Sequence, residues 1–106
     1  MARFRYSDSV VLDGSGNGQV RLAPTSRNWA IDYLTVRCAT HVAEARASVY
    51  ENYVGPDYLI DATLTGSSGD TTDTAIRVAD GYALYVVWEG GDPGALASVT
   101  WSGDEV

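Results

Sequence analysis

The chain has 106 residues, 45% hydrophobic and 20% charged, with 14 acids against seven arginines and no lysine, for a formal net charge of −7. Three Trp, seven Tyr and many Val, Leu and Ile can offset the entropy of ordering, which excludes a disordered chain, and about 100 residues suffice for one globular domain with a real core. The acidic balance lacks the cationic footprint that phosphate backbones require, and the longest apolar run, Tyr82–Trp88 at seven residues, falls far short of the roughly 20 that span a bilayer, so neither nucleic acid nor membrane is an expected partner.

At the N-terminus Arg3 and Arg5 alternate with Phe4 and Tyr6, leaving five arginines against 14 acids from residue 7 onward. This reads as a basic arm, residues 1–9, on an acidic body, residues 10–106. Such an arm is either a solvated tail or a docking element whose Arg3, Phe4, Arg5 and Tyr6 enter grooves on a partner. The start carries no apolar h-region, so no secretory signal is expected.

Beyond it, no interior stretch shows a helical period, while period-two alternation and short apolar runs recur between turn sequences. Strands are predicted at 3–12, 18–23, 29–38, 45–52, 57–64, 73–78, 82–89 and 95–102. The separators, such as Asp13-Gly-Ser-Gly-Asn-Gly, Val54-Gly-Pro-Asp and Gly90-Gly-Asp-Pro-Gly, turn by mechanism: Gly supplies positive φ, Pro fixes φ, and Asn or Asp bonds its own backbone. The segment Thr40–Ala47 tolerates a helix but at eight residues is marginal alone, and is expected as a strand connection or a single turn. Without crossover helices the expected fold is all-β, a single antiparallel β-sandwich of about eight strands, jelly-roll-like.

Register predicts the core. Ala95, Ala97, Val99 and Trp101 share one face of the last strand. In the third, Trp29, Ile31 and Tyr33 alternate in one phase and Leu34, Val36 and Cys38 in the other, so a bulge is expected between Tyr33 and Leu34. The run 82–88 is apolar on both faces. Its outer set, Ala83, Tyr85 and Val87, needs a covering loop or another subunit. Tyr50, Tyr53 and Tyr58 form a second aromatic group around the 53–57 turn, and Tyr suits interfaces because it joins apolar area to a water-tolerant hydroxyl.

Reactive machinery is not evident. Asp13-Gly-Ser-Gly-Asn-Gly opens like a calcium loop, but the twelfth position is Pro24 where a bidentate carboxylate is needed, so a Gly-rich hairpin loop is expected. Asp70 and Asp73 suit backbone capping better than a cation. Gly14, Gly16 and Gly18 precede a strand, not the helix that a phosphate cradle requires. His41 has no nucleophile pattern beside it, and the single Cys38 lies in an apolar strand as a buried thiol. No catalytic, cofactor-binding or metal-ligating residue is assigned, and the chain is read as no enzyme.

The stretch Val10-Val-Leu-Asp-Gly, Gly18-Gln-Val-Arg-Leu-Ala-Pro24, Trp29, Val49-Tyr50, Leu59-Ile-Asp61 and Thr65-Gly66, followed by Gly69-Asp-Thr-Thr-Asp73, leads to a closing segment from Gly81 through Trp88-Glu-Gly-Gly and Pro93-Gly to Ala95. Together these resemble small β-sandwich virion proteins of tailed phages that infect actinobacteria. The resemblance covers about residues 10–103. It implies a capsid decoration protein, made in the host cytoplasm and bound to the head exterior as a homo-oligomer, a trimer suiting shell three-folds, with the major capsid protein as partner. A tail or collar component, or a carbohydrate-binding module exposing Trp29, Trp88 or a Tyr as a sugar platform, are the alternatives.

Overall fold

A computed structural model describes residues 2–39, 45–62, 70–72 and 76–106. They form the strands β1 (Ala2–Val11), β2 (Gly18–Leu22), β3 (Trp29–Cys38), β4 (Arg46–Glu51), β5 (Leu59–Ala62), β6 (Asp70–Thr72), β7 (Ile76–Val78), β8 (Leu84–Glu89) and β9 (Leu96–Glu105), with one 3-10 turn at Pro56–Tyr58. Sheet A runs β1-β9-β3-β6, with β7 also on β3; sheet B runs β2-β8-β4-β5. Every pairing is antiparallel.

The order is a nest. First pairs with last, β1 with β9; then β2 with β8, β3 with β6 and β7, and β4 with β5, and successive pairs fall in alternate sheets. A long hairpin rolled so that its rungs alternate between two layers is a jelly roll. Eight positions are filled by nine strands, because β6 pairs with Leu34–Val36 and β7 with Trp29–Ile31 of the same β3. The extra strand β6 lies where a turn was expected: three residues carry too little pattern to read.

Alternation makes the core. Leu84, Val86 and Trp88 of β8 face Ile31 and Leu34 of β3 and Val99 of β9 across the layers, all almost fully buried. Burying such a side chain contributes roughly 1.5–3 kcal/mol. Ala97, Val99 and Trp101 point inward as their phase predicts, and the buried set is continued by Gly103.

Two expectations are corrected. The bulge in β3 is at Asp32, where the register to β9 shifts between Ile31 and Tyr33. Asp32 and Tyr33 both face solvent, so Tyr33 leaves the inward phase of Trp29 and Ile31. Residues 2–9, expected as an arm ahead of the body, continue into residues 10 and 11 as one strand paired with β9 from Ala2↔Glu105 to Val11↔Leu96. Phe4 at 8% exposure belongs to the core. Of the segment 40–47, residues 40–44 lie outside the described residues and β4 begins at Arg46.

Close approach requires glycine at the bulge. A Cβ on Gly103 would fall on the Ala30 carbonyl oxygen and 2.8 Å from Ile31 Cα, where backbone cannot yield cheaply. Gly14 has nothing within 4 Å of its added Cβ. Gly103→Ala is therefore expected to cost about 3 kcal/mol in urea unfolding, while Gly14→Ala stays neutral or gains up to about 1 kcal/mol through the unfolded state.

Candidate functional site

The outer face of sheet B follows from the inner one. With Leu84, Val86 and Trp88 turned into the core, Tyr85 and Val87 point out. Register sets Tyr85 opposite Arg21 on β2 and Tyr50 on β4, and Tyr50 opposite Leu59 on β5. Val87 lies opposite Gln19 and Ser48. Direct cross-strand neighbours bring their Cβ atoms within about 4.5–5.5 Å, so Tyr85, Tyr50 and Leu59 form one apolar row. Tyr85, Tyr50 and Val87 are half-buried and Leu59 is exposed.

This row runs into the tip of the nest, the β4–β5 connection. Asn52 takes a φ of 67°, a left-handed conformation that Asn tolerates. Its N–H donates to the Ala83 carbonyl at 2.8 Å, and the Ala83 N–H donates to Asn52 Oδ1 at 3.2 Å. The two bonds tie the tip to the start of β8. The Tyr53 and Tyr58 rings lie 5.2 Å apart, 65% and 46% exposed, with Val54 and Tyr82 also open to solvent. Ala83, expected on the outer face, is buried at 4% and excluded from any contact surface.

The outer face of sheet A has the opposite character. Its central cross-strand rows read Ser7, Thr100, Thr35, then Ser9, Ser98, Arg37, then Arg5, Ser102, Tyr33, with Thr35 buried, and at one end Val11 lies opposite Leu96, an exposed apolar pair. Ser7 Oγ and Thr100 Oγ1 share a hydrogen bond of 3.0 Å. Arg3 reaches across β9 to Asp32 at 2.6 Å and Asp104 at 3.6 Å. That bond holds the Asp32 carboxyl below its ordinary value and raises the Arg3 guanidinium. Both partners are more than half exposed, so the pair orients the strand more than it stabilises it.

Of the terminal candidates, then, Arg3 and Arg5 lie on this polar face and Phe4 is internal. Tyr6 is different. It is 45% exposed and sits 5.4 Å from Phe4, 5.9 Å from Trp29 and 5.8 Å from Trp101, centroid to centroid. Beside it an open cavity of about 310 Å³ lies between β1 and the β2–β3 connection, floored by Tyr6, Trp29 and Trp101 and rimmed by Asp8, Arg27 and Glu105. Trp29 and Trp101 are each 6% exposed and Trp88 1%, so neither Trp29 nor Trp88 presents the flat indole that a sugar platform needs.

The reactive-looking residues have local roles. Asp13 Oδ1 accepts from the Ser15 N–H at 2.8 Å and the Asn17 N–H at 3.0 Å, which holds its carboxyl below the ordinary value. The loop is not a hairpin: it carries the chain from sheet A to sheet B. Gly16, at φ 77°, accepts from the Gly91 N–H at 3.0 Å, and a Cβ there would strike the Gly91 carbonyl. Burial, with Asp92 nearby, pushes the Cys38 thiol up. Asp70 lies in β6; Asp73 and His41 lie outside the described residues. Among the described residues no group of three or more His, Cys, Asp or Glu is placed to hold a metal.

The structure thus joins Tyr50, Tyr53, Tyr58, Tyr85 and Val87 on sheet B and its tip. Leu59 and Val54 belong with them and were missed, whereas the exposed Tyr82 lies beside Arg77, Val78 and Ala79. Tyr82 precedes β8, so strand alternation assigned it wrongly to the inward set. Compared with known proteins, the chain matches no protein-family model and no curated sequence.

The Asp13 bonds make the loop acid-sensitive. A carboxyl whose folded value is lowered contributes stability that is complete above the ordinary Asp range and is lost as pH falls through the lowered value. NMR titration of the side-chain carboxyls should find Asp13 ionising below the ordinary Asp range, and Asp13→Ala should abolish that acid limb while lowering the melting temperature.

Proposed function

We propose that this chain is a non-enzymatic structural protein that works by adhesion, a virion component of the capsid-decoration kind expected from its sequence. One observation carries the reading: the contrast between the two outer faces. Sheet A faces water with serine, threonine and arginine over most of its length and exposes an apolar pair, Val11 and Leu96, only at one end, whereas sheet B carries a Tyr85, Tyr50, Leu59 row that continues into Tyr53, Val54 and Tyr58 at the tip. An apolar patch rimmed by polar residues, here Arg21 and Gln19 on β2, is the mark of a contact surface. Exposed tyrosines give it large contact area at low entropic cost.

The jelly roll supports the reading by analogy only, since this architecture serves viral capsids and lectins alike. The acidic body favours a shell partner with basic or neutral contacts at the rim. The homo-oligomer expected from the sequence, a trimer on shell three-folds, with the major capsid protein as partner, is part of the same proposal. A tail or collar position is the competing site on the particle.

Binding only to the assembled shell stabilises it by mass action, by about 2.7 kcal/mol at a hundredfold excess over Kd. Heated particles carrying the protein should therefore rupture at a higher temperature than particles lacking it. Equal rupture temperatures, or labelled protein seen on tails in electron micrographs, would overturn the decoration role. The face itself is tested by Tyr85→Ser combined with Tyr50→Ser. Losing anchors of this kind should weaken attachment by at least about 30-fold, with unfolding little changed.

A further inference from the structure

The edge of β1 offers hydrogen-bonding groups at strand spacing. Leu12 donates its N–H to the Ala95 carbonyl at 2.9 Å, which fixes the even residues of β1 as the ones bonded to β9. By alternation the N–H and C=O of Arg3, Arg5 and Ser7 point away from the sheet. At Ser9 the outward N–H is already taken by Asp8 Oδ1 at 2.8 Å. Next to it the Gly18 end of β2 packs on Val10 and Leu12. The open part is therefore Arg3–Ser7.

No other edge described is comparable. β5 has four residues and a register shift, β6 and β7 have three each, and β2 has five. β1 has ten residues in unbroken register and no proline, and of its two arginines Arg3 is turned back over the sheet to Asp32 and Asp104. The cavity floored by Tyr6, Trp29 and Trp101 opens along this same strand, on the inward side of the sheet. A strand laid on β1 would thus run past the mouth of this cavity, where the exposed Tyr6 and Asp8, and not the core residue Phe4, face it.

We infer that a second copy of this chain occupies the site, β1 against β1 in antiparallel register about a two-fold axis at Tyr6. Arg5 and the partner's Ser7 exchange both backbone hydrogen bonds, and the symmetric pair doubles them. Tyr6 meets the partner's Tyr6 at the cavity mouth, and Phe4 lies opposite the partner's Asp8. The competing axis, at Arg5, sets two guanidinium groups directly opposite and is disfavoured. An isologous contact of this sort closes on itself as a dimer. It does not depend on the virion reading, and it uses none of the sheet B face.

Sedimentation equilibrium from micromolar to near-millimolar protein tests this on the full chain. A monomer–dimer equilibrium is expected, tightening with added salt because each copy carries a net charge of −7. Ser7→Pro removes an outward N–H that the monomer does not use, a change edge strands tolerate, and should weaken the dimer by about tenfold or more. Ser7→Ala, which loses only the Thr100 hydroxyl contact, should leave it intact. Amide exchange on the native chain gives a second readout: Arg3, Arg5 and Ser7 become protected as concentration rises, while Phe4 and Tyr6 are protected throughout. A monomer at all concentrations, a dimer indifferent to Ser7→Pro with unprotected odd amides, or a dimer lost on Tyr85→Ser instead would overturn the inference. So would a glycan that binds the cavity of a strictly monomeric chain.

Discussion

The ladder that β9 makes with β1 on one side and β3 on the other holds the molecule together. Ten residues of β9 pair without a break along β1, and nine of them pair with β3 around the Asp32 bulge. Because the side chains of β9 alternate, that single strand fixes which face of sheet A is interior, through Ala97, Val99 and Trp101. Slipping it by one residue would expose Trp101 and bury Ser98, Thr100 and Ser102. The tight meeting of Gly103 with the Ala30 carbonyl pins the register at the one place where β3 gains a residue.

From that strand outward, the nested pairing decides where chemistry can lie. Rolling a long hairpin puts its two ends, β1 and β9, side by side in sheet A and its tip, residues 52–58, at the margin of sheet B. Loops that change layers, such as Asp13–Asn17, are occupied in bonding their own backbone. The bulge turns Asp32 outward to meet Arg3, so even the best ion pair described serves strand alignment. Among the described residues, the largest groups left open are the aromatic row of sheet B and the backbone along the β1 edge.

Much of this was legible from the residues alone. Inward faces in β3, β8 and β9 follow from alternation because each strand is buried on one side, and the turn residues placed both ends of the eight expected strands within about three residues. Tyr50, Tyr85 and Val87 were nominated without knowing that register would set Tyr50 beside Tyr85. The rest was hidden for physical reasons. Charge suggested a free N-terminal arm, but Phe4 buries against Trp29 at 5.1 Å, and a strand end with arginines on its solvent face looks in sequence like a tail. Ala83 and Tyr82 fall just before β8, where alternation no longer applies, and only the Asn52 bonds explain why Ala83 is covered. Three tryptophans suggest sugar platforms until their burial is seen.

The two surfaces are geometrically independent, and this constrains how they can be used together. The β1 edge belongs to sheet A, and the Tyr50 and Tyr85 row to the opposite layer. Strand pairing at β1 lengthens sheet A across a two-fold axis, so both copies keep their sheet B rows open. Two rigidly joined faces engage a repeating surface with an effective concentration set by their spacing, which multiplies weak single contacts without any new one. That advantage exists only where the repeat of the surface matches the two-fold spacing. On a three-fold position one of the two faces would be left unengaged. Edge pairing and an adhesive sheet B are accordingly consistent with each other on a surface of two-fold repeat, and the proposed trimer requires a further contact that β1 does not provide.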